Sequence, residues 1–166
     1  PMVILGIDPG FGTIGFGALD YSGNRFRLVE YGALTTPPNH RFAERLAEIS
    51  DGADALIERL RPDAISIEEL FFNTNITTGI RVAMARGVLL LAAERRGVPI
   101  YEYTPSQVKQ AVTGYGKAEK RQVMEMVKLF LNLDKIPRPD DAADALALAV
   151  CHAHSAGSAL YGEERT

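Results

Sequence analysis

The chain lacks the features that are typical of secreted and membrane proteins. Its 166 residues include a single cysteine, Cys151, which excludes an internal disulfide and favours a reducing compartment. Its longest apolar runs, such as residues 88–93, are far too short to span a bilayer. The sequence shows no basic-then-apolar leader with a small-residue cleavage site. We therefore predict a cytoplasmic protein with no membrane partner.

Positive charge is also scarce, because 18 Lys and Arg residues face 21 Asp and Glu residues, for a net charge of −3. Taken alone, this balance argues against a nucleic-acid partner. The argument weakens if several acids cluster around metal ions, since their charge is then locally cancelled. Repeats and low-complexity segments are absent as well. We predict one domain over residues 2–156 and a polar, disordered tail over residues 157–166.

The sequence does contain short apolar strands and amphipathic helices in a clear order. Three strands open the chain, and the turn residues 22–24 join the second and third strands into an antiparallel hairpin. A helix, a strand–helix–strand unit and three helices follow. The predicted strands cover residues 3–8, 12–20, 25–34, 64–68 and 98–103, and the predicted helices cover residues 40–61, 79–96, 105–112, 118–131 and 141–156. This order predicts an α/β fold with a five-stranded mixed sheet flanked by helices.

Four carboxylates stand where these elements begin or end. Asp8 ends the first strand and Glu68 the fourth, and a carboxylate buried there without a partner would be costly. Asp141 and Asp144 open the last helix three positions apart, so they share one face. Each acid alone has an ordinary explanation as a turn residue, a strand end or a helix cap. Together they predict a site for two Mg²⁺ ions that act on a phosphodiester.

A second interpretation starts from the glycines that follow the first strand. Asp8, Gly10, Gly12 and Thr13 resemble the first phosphate loop of actin-like ATPases and sugar kinases. Those proteins duplicate the sheet domain and need a second phosphate loop and an adenosine pocket. A chain of 166 residues has no room for that duplication, so the ATPase remains the alternative.

Cations also gather at the start of the fourth helix. Lys117, Lys120 and Arg121 crowd its first turn, where the helix dipole disfavours each cation by roughly 0.3–1 kcal/mol. A solvated surface is the ordinary explanation of such a stripe. The unfavourable placement instead favours phosphate binding, for which helix N-terminal amides and cations cooperate.

The chain resembles the RuvC family of Holliday-junction resolvases, which have a ribonuclease-H-like fold. The resemblance extends from Val3 to His154 and rests on five segments in family order and spacing. These are GIDPG at 6–10, IEELF at 67–71, QVKQ at 107–110, AEK at 118–120 and DAADALA at 141–147. The resemblance implies a nuclease that acts in recombination and repair. Such a nuclease cuts two opposed strands of a four-way DNA junction symmetrically with Mg²⁺ or Mn²⁺. A non-catalytic junction-binding module is the other alternative.

By this resemblance the metal-binding catalytic acids are Asp8, Glu68, Asp141 and Asp144. Lys109 and Lys120 match functional lysines of the family, which hold the DNA backbone near the scissile phosphate. Phe71 and Phe72 follow the fourth strand, and one of these rings is expected to stack on an unpaired base, with the match favouring Phe71. Tyr115, between two glycines, is a weaker candidate for the same contact.

Association with other chains is predicted from two observations. Residues 80–93 belong to a helix that is apolar on more than one face, whereas the surface helix of a monomer shows a polar side. Either the sheet and another helix bury this helix, or it packs against its two-fold mate. A C2 homodimer would match the near two-fold symmetry of a four-way junction. The resemblance also implies an association with the RuvA–RuvB branch-migration complex.

Overall fold

The computed structural model describes residues 1–10, 12–70 and 76–155 of the chain. These residues form five strands and five helices. The strands are β1 (Met2–Pro9), β2 (Thr13–Ser22), β3 (Arg25–Thr35), β4 (Ala64–Glu68) and β5 (Ile100–Tyr103), and the helices are α1 (Phe42–Leu60), α2 (Ile76–Arg95), α3 (Pro105–Thr113), α4 (Lys120–Phe130) and α5 (Asp140–Ser155).

The sheet is mixed because its strands are joined by two kinds of connection. β1, β2 and β3 form an antiparallel meander in which Ser22 pairs with Arg25 across the predicted turn. β4 and β5 follow α1 and α2 and lie parallel to β1 and to each other, which gives the order β3-β2-β1-β4-β5. The predicted five-stranded mixed sheet flanked by helices is therefore confirmed.

Each face of the sheet is covered by its own set of helices. Ile4 and Leu19 belong to a core cluster with residues of α3, α4 and α5. Leu5 and Ile7 belong to a second cluster with residues of α1 and α2. Successive strand residues point to opposite faces, so burial on both sides explains the almost continuous apolar run of β1.

The helix α5 lies in main-chain contact with the sheet at glycines of β1 and β2. A Cβ atom added to Gly6 would lie 1.8 Å from the main-chain oxygen of Ala145, and one added to Gly15 would lie 2.1 Å from that of Asp141. The buried positions of α5 include six alanines: residues 142, 143, 145, 147, 149 and 153. Main-chain contact thus sets the distance between the start of α5 and the end of β1.

The helix α2 has one side against the protein and an exposed apolar side. Its inner residues Ala85 and Leu89 belong to the cluster shared with α1. Within the part of the chain that the structure describes, α2 is the one helix with the length and composition of a membrane span. Core helices of soluble proteins meet the same criterion, so this is weak evidence for a membrane.

Candidate active site

The position of Asp8 follows from strand alternation in β1. Gly6, two residues earlier, faces α5, and Asp8 therefore points to the same side of the sheet. The chain turns directly after β1, where the Gly10 N–H donates to the Thr13 carbonyl at 3.0 Å. Asp8 thus lies half-buried at the end of a central strand, beneath the start of α5.

Glu68 reaches the same side of the sheet from the neighbouring strand. β1 and β4 are parallel, with Ile7 paired to Ile67, so the carboxyl ends of both strands lie at one edge. The Ser66 hydroxyl donates to the Leu148 carbonyl of α5 at 2.8 Å. Because Glu68 is two residues further along β4, its side chain also faces α5.

Three of the four predicted acids form a compact cluster. Ligand oxygens of Asp8, Asp141 and Asp144 all lie within 4.8 Å of one another. Glu68 falls outside this group and lines the cavity next to it, together with Asp8 and Asp144. The structure therefore brings all four acids to one place, with Glu68 further from the centre of the cluster than the other three.

Burial and mutual repulsion make this cluster unfavourable without a cation. Burial, followed by the charges of Asp144, Glu68 and Asp141, raises the pKa of Asp8 to about 8. Burial is also the largest cause that raises the pKa of Glu68 and of Asp144. Carboxylate oxygens are the preferred ligands of Mg²⁺ and related hard cations. The donor set therefore fits divalent cations that would neutralise the cluster.

Lysines surround the carboxylates on the solvent side. The cavity has a volume of about 510 Å³ and is lined by Lys109 from α3 and by Lys117 and Lys120 near the start of α4. The Lys120 ammonium donates to Asp140 and lies 3.4 Å from Asp144. The site thus combines an acidic floor with a basic rim, which suits a phosphate ester bridged to the acids by cations.

The local sequence fixes where Lys109 lies. The Thr104 hydroxyl accepts from the Gln107 N–H, and the Gln107 side chain accepts from the Thr104 N–H, which forms a capping box at the start of α3. The helix therefore begins at a defined residue, and Lys109 faces the cavity in its second turn.

The remaining residues that were predicted to contact DNA do not line the cavity or lie outside the described residues. Tyr115 is 58% exposed, and it is absent from the cavity lining, as is the exposed Arg121. Tyr115 is close to Lys117 in the sequence, and Arg121 directly follows Lys120. Phe71 and Phe72 lie outside the described residues, so their predicted stacking role stays a prediction.

Two residues near the site were missed by sequence reasoning. Asp140 lies in the first turn of α5, where an acid suits the helix dipole, and it also forms an ion pair with Lys120. Arg86 of α2 is buried, and it contacts the main chain of Glu68. Its signal in the sequence is a cation among the apolar residues in the middle of this helix, where burial of the charge is costly unless the cation has a role.

Comparison with known proteins identifies the family. The family model described as crossover junction endodeoxyribonuclease RuvC matches residues 4–152. The chain belongs to the RuvC family. RuvC of Alkaliphilus metalliredigens is 57% identical over 154 residues, which cover 93% of this chain and 94% of the relative. RuvC of Ruminiclostridium cellulolyticum is 54% identical over 165 residues and 99% of each chain.

Solved RuvC structures share the fold closely. Thermus thermophilus RuvC in complex with a Holliday junction substrate superposes with a TM-score of 0.93 at 39% identity, over 98% of this chain and 99% of that one. The yeast mitochondrial Holliday junction resolvase superposes with a TM-score of 0.66 at 16% identity, over 91% and 77% of the two chains. The second likeness concerns the fold alone. Together they confirm the ribonuclease-H-like architecture, and the actin-like alternative is not favoured.

Proposed function

We propose that the chain is a structure-selective endodeoxyribonuclease that resolves Holliday junctions by paired, symmetric incisions in DNA recombination and repair. The observation that carries the proposal is the cluster of Asp8, Asp141 and Asp144, with Glu68 beside it, in a chain of the RuvC family. A binding module without catalysis would gain nothing from buried acids that repel the DNA backbone. The cluster therefore favours a nuclease over such a module.

Each part of the site has a defined task in this reaction. The four acids would hold two divalent cations, Mg²⁺ or Mn²⁺, between β1, β4 and α5. When bound, such ions supply Lewis-acid activation of the attacking water and charge neutralisation at the phosphate. Lys109 and Lys120 bind the phosphate oxygens and offset the charge that develops in the transition state. Lys117, Arg121 and Tyr115 extend the contact along the DNA.

A cleavage comparison tests the proposal directly. A mobile four-way junction and a linear duplex of the same sequence are incubated with the protein, with Mg²⁺ or with EDTA. We expect symmetric nicks in two opposed strands of the junction when Mg²⁺ is present and no nicks in EDTA. We also expect that the protein does not hydrolyse ATP. Equal cutting of the duplex, or cutting in EDTA, would contradict the proposed activity.

The paired incisions require two sites, and an apolar stripe on α2 provides a surface for a second copy of the chain. Its members share one helix face and are 46–71% exposed: Ile76, Ile80, Met84 and Leu91. Exposed apolar side chains on one helix face are typical of an interface rather than of free surface. We infer a C2 homodimer through this stripe, in which each subunit cuts one of the two opposed strands.

Met84→Glu should therefore produce a monomer, because it places a charge in the centre of the stripe. We expect sedimentation to show the loss of the dimer, and junction products to change from two nicks to single, uncoupled nicks. Leu129→Glu is the matched control, since Leu129 is 70% exposed on α4 and outside the stripe. A dimer that persists in Met84→Glu would rule out this interface.

The cellular setting follows from the same proposal. A nuclease that acts on chromosomal junctions belongs in the cytoplasm of a bacterium, where Cys151 stays reduced. Family membership also supports an association with the RuvA–RuvB branch-migration complex.

A further inference from the structure

One ion pair, between a buried arginine and a half-buried glutamate, lies directly behind the candidate active site. Arg86, on the inner side of α2, is 7% exposed. Its Nη2 atom lies 3.2 Å from Oε1 of Glu102 on β5. The same Nη2 donates to the main-chain carbonyl oxygen of Glu68 at 3.3 Å. Arg86 therefore links α2, β5 and the last residue of β4.

This arrangement adds little to stability. Arg86 is buried and Glu102 is half-buried, and the loss of their hydration is often not repaid by their attraction, so an apolar pair of similar volume is commonly as stable. In addition, Arg86 Nε is buried and has no hydrogen-bond partner among the described residues. A buried donor without a partner adds a further penalty. Stability alone therefore does not explain the presence of Arg86 at this position.

The contact is made where the main chain of β4 leaves the sheet. Glu68 pairs with Tyr103 of β5, and the Glu69 N–H donates to the Tyr103 carbonyl at 2.9 Å. Arg86 binds the carbonyl of the same Glu68–Glu69 peptide group. The peptide plane is thus held at both its N–H and its C=O, which restrains the main chain from which the Glu68 side chain extends.

Arg86 acts through the main chain rather than through the carboxylate. The charges that shift the pKa of Glu68 are those of Asp144, Lys109 and Lys120. We propose that Arg86, ion-paired to Glu102, is a positioning residue that holds the main chain at Glu68 so that its carboxylate faces the acid cluster. This inference rests on the proposed nuclease function, because Glu68 is taken as a cation ligand.

The test uses a double variant, Arg86→Met with Glu102→Gln, which removes both charges and leaves no unpaired ion in the protein. We expect a Tm equal to or above that of the wild type and unchanged junction binding in EDTA. Cleavage should fall by about 10–100-fold, the usual loss when a residue supporting a metal ligand is removed. The Mg²⁺ concentration needed for half-maximal cleavage should rise, and Arg86→Lys, which keeps the charge, should restore part of the rate.

A second measurement is independent of activity. In the metal-free protein, hydrogen exchange at the Glu69 amide should be faster in the double variant than in the wild type, because the peptide has lost one of its two contacts. Arg95 is an exposed arginine on the same helix, so Arg95→Met is the matched control. It should change neither the cleavage rate nor the exchange rate of the Glu69 amide. A double variant with wild-type cleavage, metal requirement and exchange would overturn the positioning role. If the wild type itself fails to cut junctions, the proposed function fails, and the exchange rates still decide the role of Arg86.

Discussion

Asp8→Asn is expected to abolish junction cleavage while leaving junction binding intact. Asp8 lies at the centre of the cluster, with ligand oxygens of Asp141 and Asp144 within 4.8 Å. Asparagine keeps the shape of the side chain but removes the charge that attracts a divalent cation. We expect the single-turnover rate to fall by up to about 1000-fold, the upper end of the scale that follows loss of a group stabilising transition-state charge.

The same variant should be more stable than the wild type when no metal is present. Burial and neighbouring acids raise the pKa of Asp8 to about 8, from an ordinary value of 3.8. Between these two values the folded chain binds more protons than the unfolded chain, so the free energy of unfolding falls as pH rises from about 4 to about 8. Asp8→Asn cannot ionise, so it loses this dependence, and its Tm at pH 8 should be several degrees higher.

Two comparisons complete the experiment. Mg²⁺ should raise the Tm of the wild type by mass action and should raise that of Asp8→Asn much less. Asp51→Asn, an exposed acid on α1, should match the wild type in cleavage, Tm and Mg²⁺ response. Wild-type cleavage by Asp8→Asn would show that this cluster is not the active site.

Gly6→Ala is the substitution expected to damage folding most. The added Cβ atom would lie 1.8 Å from the carbonyl oxygen of Ala145 and 2.8 Å from its carbonyl carbon. These are main-chain atoms of a buried helix, so they cannot rotate away as a side chain could. We expect a loss above about 4 kcal/mol, which is most of the stability of an ordinary domain. Circular dichroism melting and soluble yield would measure it.

Gly87→Ala provides the matched control. Gly87 lies in α2, and no atom is within 4 Å of its added Cβ. Alanine is favoured over glycine inside a helix by about 1 kcal/mol, so this variant should melt at or above the wild-type temperature. If Gly6→Ala melts like the wild type and still cuts junctions, the close packing of α5 on β1 is wrong.

Most of the fold could be predicted from local sequence signals. The residues Ser22 and Gly23 marked the β2–β3 turn, and glycine fits there because Gly23 has a φ of 54°. The first turn of α2 was missed, since the predicted start was residue 79 and the helix begins at Ile76. The predicted α4 started two residues early, because Gln122 caps the main-chain N–H of Glu119 and the helix begins at Lys120.

The buried side of α4 includes more than one row of residues. Val123, Met124 and Val127 are buried, and Met126 is half-buried and packs against the same core. The helix packs against both α3 and α5, so its buried surface is wider than one periodic stripe. Spacing along one helix cannot reveal a second neighbour.

The candidate site was predictable in composition but not in detail. The ends of two predicted strands indicated Asp8 and Glu68 as site residues. The spacing of three residues on one helix face indicated Asp141 and Asp144. The greater distance of Glu68 depends on the three-dimensional path of β4 and could not be derived from spacing. Arg86 was not predictable as a partner of Glu68, because its contacts join elements far apart in sequence.

The position of β1 in the sheet has a consequence for how the site responds to substrate. β1 is hydrogen-bonded along its length to β2 and is paired on its other side with β4, so Asp8 lies in the part of the protein expected to open last. Lys117 and Lys120 lie at the exposed start of α4, where helix ends fray most easily. The acidic half of the site is thus built to keep its shape, while the basic half can adjust to the path of the DNA.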